Sequence, residues 1–493
     1  MMAINIPSAA RDVLERLDPT HGLWINGEQR AASNGETFAV FDPATEEEIT
    51  QVSSASVEDA TAAVDAAAAA FESWRDTAPR VRGEILRAAW RLMIERQDEL
   101  AALMSWENGK SISDSLAEVS YAAEFFRWFS EEAVRSEGDY AIPPAGGTRT
   151  LVTHHPVGVA ALVTPWNFPE AMATRKIGPA LAAGCTVVLK PASETPLSAL
   201  AVMAILAEAG VPDGVVNVVP SRHSADISSA WLSDDRVRMM SFTGSTGVGI
   251  SLLEQAAKRV VNTGMELGGN APFIVGPTAD IDAAIDGAMV AKFRNGGQAC
   301  TAANRFYVHE SLIDEFLRKF AQRVKALKVG SAFVEGAQIG PVVNAKARTK
   351  INALIEEALA AGAQVYAQAE LPEGDSGFFV APQIVQVPSS DSPLFTNEIF
   401  GPVAPVISWA DDAELLAKVN RTEAGLAGYI FGELQWCLKL GEKIEVGMLG
   451  VNRGLVSDPA APFGGYKQSG IGREGAREGI REFQETQYFS VAW

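Results

Sequence analysis

Cysteine is scarce, with three residues in 493 (Cys185, Cys300 and Cys437), widely spaced along the chain. That excludes a disulfide framework and a CxxC-type zinc site, so each thiol has to be read alone. Histidine is nearly as rare. The five (His21, His154, His155, His223, His309) stand in no motif that would supply a hydrolase base or a metal site. His154 and His155 are neighbours in a β-prone stretch and so point to opposite faces of a strand, which argues against a shared metal. Positive charge is also short: 41 Lys and Arg against 61 Asp and Glu, a net charge of -20, which disfavours phosphate backbones and anionic lipid surfaces as partners. No apolar run approaches the roughly 18 to 20 residues of a membrane span. The opening MMAINIPSAARDVLERLD lacks the basic-then-apolar layout of a signal peptide, so the expected location is cytoplasmic.

The chain carries 47% hydrophobic residues over a length that calls for two or three domains. Ser56 and Asp59 open SVEDATAAVDAAAAAFESW as a capping box opens a helix. From Val157 to Glu266, β-branched runs (VGVAALV, TVVLK, VVNVV, RMMSFTG) alternate with alanine-rich helical stretches, the pattern of βαβ units on a parallel sheet. Ligands of such sheets sit at the carboxyl ends of the strands. Two segments differ. Residues 136–158 and the terminal ETQYFSVAW alternate as protruding strands do, and their open edges call for a partner subunit.

Chemistry concentrates in four places. Cys300, in KFRNGGQACTAANR, lies among glycines; it is either a small buried side chain or, at a helix start, a thiol whose anion backbone N–H groups would favour. Glu266 in MELGGNAP is either a satisfied structural carboxylate or, poorly solvated, a base with a pKa lifted toward neutrality. Asn167 in TPWNFP follows a strand and can offer an amide N–H to an oxyanion. SFTGSTGVG is a glycine-rich strand-to-helix turn of the kind that cradles a pyrophosphate, a weak signal alone.

Together, and in order, TPWNFP, VLKPASETP, FTGSTGVG, MELGGNAP, GGQACTAANR, NEIFGPV and APFGGYKQSGIGRE resemble the aldehyde dehydrogenase superfamily over nearly the whole chain. The resemblance implies an α/β fold: a Rossmann-type cofactor domain (residues 1–135 and 156–266), an α/β catalytic domain (267–470) and bridging strands (136–155 and 480–493) that build a homodimer or homotetramer. It implies Cys300 as nucleophile, Asn167 as oxyanion donor, Glu266 as base, and Lys176 and Glu474 as a proton relay. Covalent capture of the aldehyde as a thiohemiacetal makes a good hydride donor. For the cofactor it implies Trp166, Lys190, Gly244, Ser245, Gly249, Glu398 and Phe400. Ser193 stands where NAD-preferring relatives often carry glutamate. A serine beside Lys190 suits a 2′-phosphate, so NADP is favoured, with NAD possible and Glu194 as the reason for reserve.

KFRNxGQ, TRK at Thr174–Lys176 and GLVSD at Gly454–Asp458 resemble the succinate-semialdehyde dehydrogenase branch. There, residues matching Arg175, Arg294 and Ser457 hold the substrate's distal carboxylate, so a small anionic aldehyde is expected. Phe126, with Arg127 and Trp128, either shapes the channel wall or packs in a helical core. Arg453 adds charge at a pocket mouth or lies idle on the surface. Ala302 replaces a second cysteine found in some members of the branch, which removes a redox switch. Rival readings are another semialdehyde (glutarate, 2-oxoglutarate or malonate), a neutral aldehyde, a cysteine-based esterase, and a binding protein that retains only the fold.

Overall fold

The computed structural model describes residues 6–135, 137–374 and 376–492; positions 1–5, 136, 375 and 493, which fall within the expected domain limits, lie outside them. Two sheets organise the molecule. The first has eight strands, and five of them run parallel: Val159–Val163, Thr186–Lys190, Val216–Val218, Val237–Thr243 and Asn262–Glu266. Numbered one to five in chain order, these lie side by side as 3-2-1-4-5. Every residue of the first two is buried, as strands covered by helices on both faces require. Both flanks are antiparallel, which the repeat of strand and helix did not announce: the hairpin of Leu23–Ile25 and Glu28–Arg30 closes one side and Gly470–Ile471 the other. A helix at Ser224–Ser233, between the third and fourth strands, also went unread.

The helices follow their sequence signals. Val57–Asp76 opens on the Ser56 and Asp59 capping box, both bonds present. Pro169–Ala183 is buried along its whole length, including Arg175 and Lys176, so those charges must be matched inside the protein.

The second sheet has seven strands, six parallel, built from Ala271–Val275, Ala303–His309, Gln383–Gln386, Val403–Trp409, Ala427–Phe431 and Met448–Val451, with Gln364–Gln368 antiparallel at one edge. A third sheet joins Asp139–Ala141, Thr148–Pro156 and Gln484–Ala492. It carries exposed Tyr140, Leu151, Tyr488 and Phe489. His154 and His155 contact Thr486 and Thr153 respectively, and no metal-holding cluster exists among the described residues. Among those residues, no helix is long and apolar enough to cross a membrane.

Candidate active site

The parallel order reverses between Val159–Val163 and Val237–Thr243, and a crevice at such a reversal is where open α/β sheets receive ligands. A slot of about 480 Å³ opens there. Trp166 and Asn167 line it from the loop after the first of these strands, and Thr243, Gly244 and Ser245 from the turn after the other. The second sheet meets it with Gly268, Cys300, Glu398 and Phe400, all on loops that enter three adjacent parallel strands.

Cys300 sits in a turn between the short helix Arg294–Gly297 and the strand Ala303–His309, not at a helix start. The expected thiolate stabilisation by helix N–H groups is therefore corrected. Enclosure pushes the thiol up to about 12, against the pull of Arg175 and Arg294, so it rests protonated at neutral pH. The glycines around it have steric causes. Gly297 is left-handed at φ +74 and a Cβ there would lie 2.4 Å from Gly401 O; one on Gly269 would lie 2.3 Å from Cys300 O. Tyr429 fixes the far side by donating to Thr301 O at 2.8 Å.

Asn167 is held by its backbone. Its carbonyl accepts from Lys110 Nζ at 2.7 Å and Asn295 Nδ2 at 2.8 Å, while Trp166 O accepts from Asn108 Nδ2 at 2.8 Å. Lys110 is fully buried and paired with Glu118, which also accepts from the first N–H groups of the Pro169–Ala183 helix, Glu170 at 3.1 Å and Ala171 at 3.3 Å. The sequence reading missed this clamp, although ENGK at Glu107–Lys110 spells it out. No hydrogen bond among the described residues uses the Asn167 side chain, whose Oδ1 is buried without a partner, and the N–H of Cys300 has no acceptor there either. Two donors beside one thiol are thus uncommitted.

Glu266 ends its strand almost fully buried, with Oε2 unpartnered. Burial, reinforced by Glu474, lifts its carboxyl well above the ordinary range despite Arg175 and Lys176. It does not line the slot; it borders a small cavity behind it with Arg175, Ser241 and Glu474. Lys176 Nζ donates to Glu474 Oε1 at 2.5 Å and Ser241 Oγ at 2.8 Å, and Arg175 Nη1 lies 3.4 Å from Glu474 Oε2.

The residues expected at a cofactor divide. Phe400, at φ +57, meets the Trp166 ring edge-on at 5.4 Å, and Glu398 accepts from Gly269 N at 2.9 Å. Ser245 caps the Thr246–Ala257 helix without a side-chain bond, and nothing lies within 4 Å of where a Cβ on Gly247 would stand, so the helix start is open. The buried Thr243 Oγ1 in the same wall has no partner. These features fit a dinucleotide whose pyrophosphate needs N–H and hydroxyl donors. Gly244 lines the slot, but its N–H is committed to Glu266 O at 3.0 Å. Gly249 is corrected: it is buried where a Cβ would meet Leu267 Cδ2 at 2.4 Å, so it lets helix and strand approach and does not face the slot. Lys190 is buried, donates to Pro191 O at 2.9 Å, and burial brings its amine down to about 8. Ser193 Oγ donates to Glu194 Oε2 at 3.2 Å.

The two arginines differ. Arg294 is half-buried over the Phe168 ring at 5.0 Å, with no ion pair or hydrogen bond to its guanidinium among the described residues. Arg175 is almost fully buried, 4.1 Å from the Phe463 ring centre, bonded to Tyr121 Oη at 2.5 Å and close to Glu474. Both charges act on Tyr121 and on Cys300. Tyr121 is thus a site residue that the sequence reading missed. Its partner one turn on is Phe125, ring centres 5.0 Å apart, and both rings meet Arg175. Of the two readings of Phe126, core packing fits the structure: one position further round the helix, it is fully buried. Ser457 is half-buried and Arg453 is exposed.

A 3-2-1-4-5 sheet with an open helix start at its switch point, and a thiol flanked by free donors in the same slot, belongs to the class of nucleotide-linked enzymes that work through cysteine. The sequence pattern of the aldehyde dehydrogenase family matches residues 30–489, and the chain belongs to that family. It is 50% identical to a succinate-semialdehyde dehydrogenase of Paenarthrobacter nicotinovorans, over 90% of this chain and 98% of that one. It is 44% identical to an Escherichia coli K12 succinate-semialdehyde dehydrogenase named for NADP(+), and 44% to a glutarate-semialdehyde dehydrogenase of Pseudomonas putida, each over 95% of this chain and 97% of the relative. The crystal structure of a succinate-semialdehyde dehydrogenase from Burkholderia pseudomallei superposes with a TM-score of 0.94 at 42% identity, covering both chains in full.

Proposed function

We propose that this aldehyde dehydrogenase oxidises succinate semialdehyde to succinate with NADP, and accepts NAD. The sheet of residues 159–266 with the helices before it belongs to the cofactor domain (1–135 and 156–266), residues 267–470 form the catalytic domain, and the segments that carry the third sheet (136–155 and 480–493) form the bridge between subunits of a cytoplasmic dimer or tetramer. The carboxylate-bearing substrate rests on one observation: Arg294 brings an unpaired guanidinium to the neighbourhood of Cys300. In a half-buried site that leaves fork donors for an anion.

The chemistry follows from the residues. Cys300, half-buried in the wall of the open slot, loses its proton to solvent there as its sulfur bonds to the aldehyde carbon, whose C=O π pair moves onto oxygen. The new oxyanion takes the free N–H of Cys300 and the Asn167 amide, which its clamped backbone holds in place. The nicotinamide, when bound, supplies the hydride acceptor. The resulting thioester on Cys300 is attacked by water that loses a proton to Glu266, and the C–S bond breaks to return the thiol. Burial raises the Glu266 carboxyl well above the ordinary range, which makes it a stronger base than an exposed carboxylate, and the Lys176–Glu474 pair beside it carries the proton on.

Initial rates of reduced-cofactor formation with succinate semialdehyde and with butanal, each with NAD and NADP, test the reading. A strong preference for the acid is expected, and equal rates would overturn it. Glutarate semialdehyde belongs in the same series, because a relative as similar as the Escherichia coli one, at 44% identity, is named for it. A higher kcat/KM for that longer substrate would favour the second reading.

A further inference from the structure

Next to the cofactor slot lies a second cavity of about 440 Å³. The two share Glu194, Asn344 and Lys346 in their walls, so they lie side by side. The second cavity adds Ser193 and Arg222. Sheet order explains why those two meet: Thr186–Lys190 and Val216–Val218 are neighbouring parallel strands, so the loops leaving their carboxyl ends run side by side. Arg222 is exposed with its guanidinium 5.7 Å from the Phe38 ring centre, its own backbone N–H bonded to Ser54 Oγ. Neither Arg222 nor Lys346 makes an ion pair among the described residues. Two carboxylates face the same space, and both are partly engaged: Glu46 accepts from Gly377 N at 3.0 Å and Glu194 from Ser193 Oγ.

We propose that this cavity receives the 2′-phosphate of NADP, with Arg222 as its principal ligand and Lys346 as a second cation across the opening. The inference rests on the NADP reading above and names residues that reading does not use. A phosphate monoester demands more than one hydroxyl, since it brings nearly two negative charges into a space that already holds Glu194. The planar guanidinium can grip two of its oxygens, while Ser193 turns its hydroxyl from Glu194 to a third. NAD lacks the group and leaves Ser193 on Glu194, with Arg222 in water.

Titration calorimetry on the purified enzyme separates the possibilities, using NADP, NAD and the fragment pair 2′,5′-ADP and 5′-ADP. The unaltered protein should bind each 2′-phosphorylated member more tightly than its counterpart. Arg222→Met should weaken NADP and 2′,5′-ADP by about tenfold to hundredfold, the span of a charge-assisted bond, and leave NAD and 5′-ADP unchanged. Lys346→Met should do the same to a smaller extent, and Arg222→Lys should recover part of the loss. If the unaltered protein favours the phosphorylated ligands and Arg222→Met still does so to the same degree, the assignment of Arg222 is wrong while the NADP reading stands. If Arg222→Met weakens all four ligands alike, the residue does not discriminate and the assignment also fails. No preference in the unaltered protein would remove the NADP reading itself.

Discussion

Replacing Arg294 by Met removes the guanidinium and keeps a side chain that can still cover the Phe168 ring. Removing Arg294 strands no ion pair or hydrogen bond among the described residues, and its pull on the Cys300 thiol is weaker than that of Arg175, so the loss should fall mainly on the substrate. A charge-assisted hydrogen bond contributes about 1.5 to 3 kcal/mol. Half-burial places each of up to two fork bonds near the lower figure, or about 1.5 to 3 kcal/mol together, which corresponds to about 10- to 150-fold in kcat/KM. The assay is reduced-cofactor formation at saturating NADP with succinate semialdehyde and with butanal, in both proteins. The expected result is a raised KM for the acid, a nearly constant kcat, and little change for butanal. Arg175→Met supplies the contrast: Arg175 also holds Tyr121 and approaches Glu474, so its removal should slow both substrates. Equal losses for acid and neutral aldehyde in Arg294→Met would refute the reasoning and return that arginine to the scaffold.

Three other perturbations follow from buried groups. Glu266 works as a base only when ionised, and its pKa is raised, so kcat should climb with pH through that raised value; Glu266→Gln should abolish the climb and leave a single burst of about one reduced cofactor per site in rapid mixing. Lys110→Met strands the buried Glu118 and should cost about 3 to 5 kcal/mol in denaturant unfolding. The double variant Lys110→Met, Glu118→Gln should recover much of that stability but not kcat, because Asn167 O has still lost a donor; recovery of both would mean that Lys110 only stabilises the fold. Glu170 is fully buried with neither oxygen bonded, and burial raises its pKa well above 4.5. The fold then favours the protonated form, and stability falls as pH rises from the unfolded pKa toward the folded one. Glu170→Gln should therefore gain in melting temperature relative to the parent as pH rises above 4.5, and a difference that stays constant with pH would refute the assignment.

What could be read from the sequence is what local chemistry writes. The capping box at Ser56, the alternation from Val157 to Glu266 and the seven ordered motifs led to the sheet, the slot and the family before any coordinate. What escaped depends on partners far away in the chain. Tyr121 looks like any helical aromatic until the Pro169–Ala183 helix lays Arg175 against it, 54 positions on. Phe126 reads equally well as channel wall or as core from the sequence, because the chain shows a run of aromatics but not which of them the helix turns inward. Gly249 belongs to the same glycine-rich turn in the sequence, and only the fold shows that glycine is needed there for Leu267. The thiol of Cys300 was given a helix start that does not exist, since a left-handed path through Asn295, Gly296 and Gly297 ends the preceding helix early.

The electrostatics of the resting site favour a protein that waits. Burial raises the pKa of both the thiol of Cys300 and the carboxyl of Glu266, the first to about 12, so at neutral pH the nucleophile holds its proton. A protonated thiol is a poor target for oxidants. Bound aldehyde changes the balance locally, because the charge that develops moves from sulfur to an oxygen facing two uncommitted donors, Cys300 N–H and the Asn167 amide. Those donors do little for a thiolate and much for the oxyanion, so the site stabilises the adduct more than the free anion. The clamp on Asn167 O then gains its meaning. A donor that must wait without a partner in a buried wall has to be held by something other than the bond it will make; Lys110 and Asn295 hold it through the backbone carbonyl, and Glu118 fixes Lys110 and the start of the helix that follows.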